Sequence, residues 1–135
     1  MSTKHNALFV YGLYLNKGIL TEMYNRYYTT NEMPDKHDML FELYDAGLID
    51  YVSDFTGEII RLDKNGMPKW GYDLESCWSD TIGYVQLLCQ PSLLKGAYNN
   101  WTEAIEDIRA AMNGLLPDDF DYRGNLCLIC GTYYG

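Results

Sequence analysis

Residues 38–62 read DMLFELYDAGLIDYVSDFTGEIIRL, and the way this stretch folds decides the architecture of the chain. Its first half places Met39, Leu40, Leu43 and Tyr44 at helical spacing, which gives a helix one apolar face. Asp35 stands where an N-cap belongs, with Asp38 three residues on. Gly47 supplies the left-handed residue that ends such a helix. In the second half, LIDYV and GEIIRL read as two strands, and SDFT between them carries turn chemistry. The stretch therefore predicts a helix followed by a hairpin.

Toward the N-terminus, Pro34 disfavours helical backbone at Met33, so residues 29–35 break the pattern. Before that break a helix is expected over residues 17–28. ALFVYG (7–12) fits a buried strand ending at Gly12, but Leu8, Tyr11, Leu15, Ile19 and Met23 also keep helical spacing, so residues 1–16 stay open.

Toward the C-terminus, Asn65-Gly66 and Pro68 mark a turn, with a short strand expected around residues 70–74. TIGYVQLLCQ (81–90) reads as a strand ended by Pro91. The clearest helix is predicted over residues 100–112, with Asn100 as its cap and Glu103 at the capping-box position. Trp101, Ala104, Ile105, Ile108 and Met112 form its buried stripe, and Gly114 ends it. LPDDFDYRG (116–124) is a loop, and NLCLICGTYY (125–134) is a final strand. The last strand, helix and strand fit either a β-α-β crossover or an antiparallel return. The expected fold is α+β: one domain over residues 1–135, a small and mainly antiparallel sheet packed against two to three helices.

The 135 residues are 47% hydrophobic, which excludes a disordered chain. No apolar run approaches the ~20 residues of a membrane-spanning helix, and the first residues lack the apolar core of a secretory signal. A cytoplasmic protein without membrane contact is the expectation. The formal net charge is −9, and the ten basic residues are scattered without a stripe. That argues against a nucleic-acid footprint, which needs clustered Lys and Arg. Tyrosine occurs 13 times. In the pairs Tyr27-Tyr28 and Tyr133-Tyr134, one member is expected to be more exposed than its neighbour.

Residues 38–66 resemble the winged helix-turn-helix superfamily: helix, AGLI, strand, turn, strand, LDKNG. The resemblance implies a helix and wing at the positions where that superfamily reads DNA. The side chains offered are Asp35, Lys36, His37, Asp38, Glu42 and Asp45 on the helix, with Asp54 and Glu58 on the wing. A reading helix needs Arg, Lys, Asn or Gln. The outline is thus a packing solution, and no direct DNA binding is expected.

Chemical motifs are few. Cys127 and Cys130 form C-x-x-C, but on a strand residues three apart face opposite sides, and no helix follows to activate a thiol. Together with Cys77 and Cys89 they read as structural thiols. His5 and His37 lack ligand spacing to any cysteine, so neither metal nor cofactor is expected. Asp73 with Glu75 is a carboxylate pair. Asp118, Asp119 and Asp121 suit a surface turn and lack the spacing of a calcium loop. No phosphate loop or nucleophile triad is present, and no catalytic residue is assigned.

These features point to a non-enzymatic, acidic protein-binding protein. Its expected partner is a basic protein surface, such as that of a nucleic-acid-binding protein. Small phage inhibitors of the anti-CRISPR or anti-restriction type share this composition. The expected contact face is Glu103, Glu106 and Asp107 on the helix, with Asp118, Asp119 and Asp121 from the following loop. The alternative is a small enzyme or ligand-binding domain, which a deep pocket holding Glu58, Glu75 or a histidine would favour.

Overall fold

A computed structural model describes residues 5–71, 74–88 and 98–134, the side chains of 98–100 excepted. In chain order the elements are β1 (His5–Tyr14), α1 (Lys17–Tyr28), α2 (Lys36–Asp45), β2 (Asp50–Arg61), β3 (Leu74–Gln86), α3 (Tyr98–Ala111), α4 (Tyr122–Asn125) and β4 (Leu126–Tyr134). The four strands close on themselves in the order β1-β3-β2-β4, and every pairing is antiparallel. β3 and β4 both run antiparallel to β1 and β2, so they point the same way without being neighbours; the path from β3 through α3 to β4 is a crossover, not an antiparallel return. The fold is α+β, as the residue pattern indicated.

The opening stretch corrects the hairpin expectation. Residues 50–61 form one strand of 12 residues, so there is no wing and the winged-helix outline ends with α2. Asp54 does adopt a left-handed conformation (φ 52°), as turn chemistry suggested, but it does so within a bulge. The β2–β3 register shifts between Val52 and Phe55 and again between Phe55 and Gly57. A bulge bends a strand and adds twist, which a narrow closed barrel requires. Asp tolerates the left-handed region at low cost in either setting.

β3 also departs from expectation. It starts at Leu74 and ends at Gln86, whereas the sequence suggested residues 81–90, of which 89 and 90 lie outside the described residues. Between residues 74 and 80 only Cys77 is buried, so hydrophobicity does not reveal the first half of the strand. Of the short strand expected around residues 70–74, residues 70 and 71 form a turn, 72 and 73 lie outside the described residues, and Leu74 opens β3; an isolated bridge joins Leu62 to Pro68.

Two cores result from the alternation of side chains along the strands. Facing into the barrel are Leu8, Val10, Tyr14, Val52, Phe55, Ile59, Cys77, Ile82, Tyr84, Cys127 and Ile129. Four strands leave little room inside, and Phe55, 0% exposed, fills much of it. Gly57 and Gly131 are cross-strand partners that make way for its ring. A Cβ on Gly57 would sit 2.7 Å from Phe55 Cζ, and one on Gly131 2.8 Å from Cε2. The outward residues Tyr11, Leu13, Ile60, Leu62, Val85, Leu87, Leu126 and Leu128 pack with the helices. Opposite them stand Leu20 and Met23 of α1, Leu40 and Leu43 of α2, and Trp101, Ile105 and Ile108 of α3. Each fully buried side chain of this size contributes about 1.5–3 kcal/mol.

The helix ends follow the sequence closely. Asp35 caps α2 by accepting from the Asp38 amide at 2.8 Å. Gly47 (φ 79°) closes it, with the Leu48 amide donating to the Leu43 carbonyl at 3.1 Å. Asn16 caps α1 through a 2.9 Å bond from the Ile19 amide. α3 begins at Tyr98, so Asn100 lies inside the helix and is not its cap. First-turn amides lack intrahelical acceptors, so a helix can extend through Asn100 without losing a bond. Tyr27 is 44% and Tyr28 36% exposed, and Tyr133 is half-buried beside the exposed Tyr134, so each pair has one more exposed member; α1 buries its opposite face through Leu20, Met23 and Tyr24.

Candidate functional site

α1 and α2 share one apolar core, and a groove of about 540 Å³ is lined by residues of both helices and of the 29–35 connection. Glu32, Asp38 and Glu42 supply its carboxylates, and Met33, Pro34, Phe41 and Tyr24 its apolar walls. Glu42 is held in place: the Tyr24 hydroxyl donates to Oε2 at 2.6 Å, and the Tyr28 hydroxyl donates to the Glu42 carbonyl at 3.1 Å. The bond to Glu42, aided by burial, pushes the Tyr24 phenol up to about 12. Phe41 is 53% exposed beside the groove, and Tyr44 and Tyr27 are exposed nearby on the same two helices. The ion pairs among the described residues are Arg26–Glu22, Lys36–Asp80 and Arg109–Glu106. None reaches Glu32, Asp38 or Glu42.

The six carboxylates expected to form the contact face lie on α3 and the loop after it. Glu103 and Glu106 are exposed and Asp107 is half-buried. Glu106 pairs with Arg109 at 3.4 Å, and the Arg109 guanidinium lies 5.6 Å from the centre of the Tyr122 ring. Asp118 and Asp119 are exposed in the loop. Asp121 caps α4, accepting from the Gly124 amide at 3.0 Å, and its carbonyl accepts from the Asn125 side chain at 2.8 Å.

A second concavity, about 230 Å³, opens at one mouth of the barrel. The ends of β1 and β2 and the starts of β3 and β4 bring Tyr14, Arg61, Glu75 and Cys127 to it, and Asn16, Ile19 and Asn125 complete the rim. Arg61 Nη1 donates to the Gly124 carbonyl at 3.1 Å and to Asn125 Oδ1 at 3.4 Å. Burial pushes the Cys127 thiol up to about 11, against the lowering effect of Arg61. Burial also raises the Tyr14 hydroxyl, with Cys77, Glu75 and Asp80 adding to the shift. Both groups are therefore neutral at pH 7, and Cys127 is not an activated nucleophile.

Cys127 faces the barrel interior and Cys130 the opposite side, so the C-x-x-C pair diverges as its strand spacing indicated. Cys89 and Asp73 lie outside the described residues. Glu58 lines a shallow depression on the outer barrel wall with Ser76 and Trp78. His5 stacks edge-on against Tyr134 at 4.3 Å, and His37 is exposed on α2. Among the described residues no three His, Cys, Asp or Glu side chains converge on a metal position. No described helix is long and apolar enough to cross a membrane.

The carboxylates of α2 were visible in the sequence as a charge count. Their assembly with Glu32 and Met33 into a groove was not, because it depends on how the 29–35 connection folds back. Arg61 carried no signal beyond its charge: it reaches the barrel mouth only because residues 50–61 are a single strand. Comparison with protein-family models, curated proteins and solved structures finds no match for this chain.

Proposed function

We propose that this chain is an acidic protein-binding protein that occupies a basic surface of its partner, with nucleic-acid-binding proteins as the partner class. The observation that carries this reading is the α1–α2 groove, where three carboxylates with no cation partner among the described residues stand beside exposed aromatic and apolar side chains. Interfaces favour such mixtures: aromatic side chains supply contact area, and uncompensated charge steers an oppositely charged partner. Asp38 and Glu42 are four residues apart on α2, so their like charges cost the helix about 0.2–0.5 kcal/mol. A basic partner turns that cost into attraction. Glu103, Glu106, Asp107, Asp118, Asp119 and Asp121 form a second acidic face, proposed as an additional or alternative contact. An inhibitor that masks a nucleic-acid-binding site is the specific form of the proposal.

Affinity capture from a nuclease-treated lysate of the native host, with wild-type protein beside Glu32→Lys/Asp38→Lys/Glu42→Lys, tests the reading. The expected result is a basic protein retained by the wild type, released by salt and by competing nucleic acid, and lost with the triple variant. Equal retention by a folded triple variant removes the groove from the proposal. Retention that nucleic acid does not compete removes the inhibitor form.

A further inference from the structure

We infer that the barrel-mouth pocket binds a small zwitterion, its carboxylate held by Arg61 and the first turn of α1, and its ammonium group by Glu75. The inference is independent of the protein-binding reading and rests on different residues.

Arg61 is the first reason. The residue is half-buried, and the acceptors of its guanidinium, the Gly124 carbonyl and Asn125 Oδ1, are neutral and both engage Nη1. Among the described residues no carboxylate lies within ion-pairing distance of it. A guanidinium has five N–H donors, and a partly desolvated one without an anion is costly. A cation that faces a concavity, unpaired among the described residues, suits an anion of matching fork geometry.

The second reason is the 12-residue helix α1, whose N-terminus opens on the same space: Asn16, its cap, and Ile19 both line the pocket. Asn16 satisfies the Ile19 and Leu20 amides through its side chain and its carbonyl. The Lys17 and Gly18 amides belong to the first turn, where no intrahelical acceptor exists. The positive end of the helix dipole thus adds to the charge of Arg61.

Glu75 decides the ligand class. It lines the pocket from the start of β3 and is exposed toward the opening. A simple anion would meet its repulsion, and a simple cation that of Arg61. One molecule bearing both charges satisfies both walls, and about 230 Å³ suits a small molecule. Tyr14 and Asn125 offer neutral hydrogen-bonding groups on the remaining sides. With Cys127 and Tyr14 both protonated, the site is one of binding, and no covalent step is assigned to it.

Amide chemical shifts of the isotope-labelled full chain, titrated at pH 7 with glycine and L-alanine and with acetate and methylammonium as the separate halves, test the inference. Saturable shifts are expected at residues 14–19, 59–61, 75 and 125–127, with the zwitterions binding at least about tenfold more tightly than either half. Arg61→Gln should weaken glycine binding by about tenfold or more, the value of a lost charge-assisted bond. Because Arg61 also ties down α4, the exposed Glu75→Gln provides a variant that leaves the fold intact; it should reduce glycine to the affinity of acetate. The inference is overturned if glycine and alanine produce no saturable shifts at those amides. It is equally overturned if acetate binds as well as glycine, or if Glu75→Gln leaves the preference unchanged.

Discussion

The α2 and α3 faces carry similar numbers of carboxylates and differ in what those carboxylates already do. On α3 and its following loop, Glu106 is paired with Arg109, Arg109 lies against the Tyr122 ring, and Asp121 is spent on capping α4. On α2 and the connection before it, Glu32, Asp38 and Glu42 have no cation partner among the described residues, and Glu42 accepts a strong bond from a neutral phenol that fixes its position. Charge count alone therefore does not locate a docking face. Charge left uncompensated, held in place and flanked by exposed apolar surface does.

The largest effect expected from this difference concerns association. With a basic partner in hand, the Glu32→Lys/Asp38→Lys/Glu42→Lys variant should slow association by at least about tenfold at low salt and flatten its salt dependence. Glu103→Lys/Glu106→Lys/Asp107→Lys should slow it by only a few fold. Stopped-flow or surface kinetics at two ionic strengths separates the outcomes. A larger loss from the α3 variant would reverse the ranking of the two faces.

How far each face was legible beforehand follows from the range of the interactions that build it. α3 announces itself through the spacing of Trp101, Ile105, Ile108 and Met112, and its outer carboxylates follow from the helical period alone. Asp35, Gly47 and the divergence of Cys127 from Cys130 were equally readable, because caps and strand alternation are local. The barrel was not. It hinges on Asp54, whose left-handed backbone fits a hairpin turn and a bulge equally well, and only the closure of β2 onto both β3 and β4 chooses between them. The polar first half of β3 was hidden because one buried residue, Cys77, carries it. The α1–α2 groove and the Arg61 pocket inherit that difficulty, since each joins residues far apart in sequence.

Asp121 sharpens the comparison from the stability side. If its carboxylate serves α4 first, Asp121→Ala should cost about 1 kcal/mol, the usual value of a lost N-cap, and Asp121→Asn much less. Asp119→Ala, in the same loop, should lie within about 0.5 kcal/mol of wild type. Thermal or urea unfolding measures all three. Equal costs for positions 119 and 121 would return Asp121 to the pool of free surface charge.

Alkaline titration probes the α2 face alone. Tyr24 has its folded pKa raised from 10.0 to about 12, first by its bond to Glu42 and then by burial. A raised pKa means that the protonated phenol is favoured by folding. Its contribution is complete below about pH 10 and is lost as pH rises through about 12. Glu42→Gln removes the charged acceptor, so the Tyr24 transition, followed by phenolate absorbance against a Tyr24→Phe reference, should move to lower pH. A transition that stays near 12 in Glu42→Gln would mean that burial alone sets it, and that Glu42 is not held by Tyr24.

The smallest effect belongs to the one ion pair on the α3 face. Glu106 and Arg109 are 61% and 53% exposed at their side chains, three residues apart on the helix. Water screens such a pair, and ordering two long side chains offsets much of the attraction, so exposed pairs contribute roughly 0–1 kcal/mol. Arg109 is also held by the Tyr122 ring, so losing Glu106 leaves it a second contact. Glu106→Gln is therefore expected to change stability by no more than about 0.5 kcal/mol, and less at high salt. Glu106→Lys adds repulsion against Arg109 and should cost slightly more. If Glu106→Gln lowers stability by several times that amount, the pair is integral to the packing of α3 on Tyr122. The α3 carboxylates would then be structural throughout, leaving the α1–α2 groove as the acidic surface available to a partner.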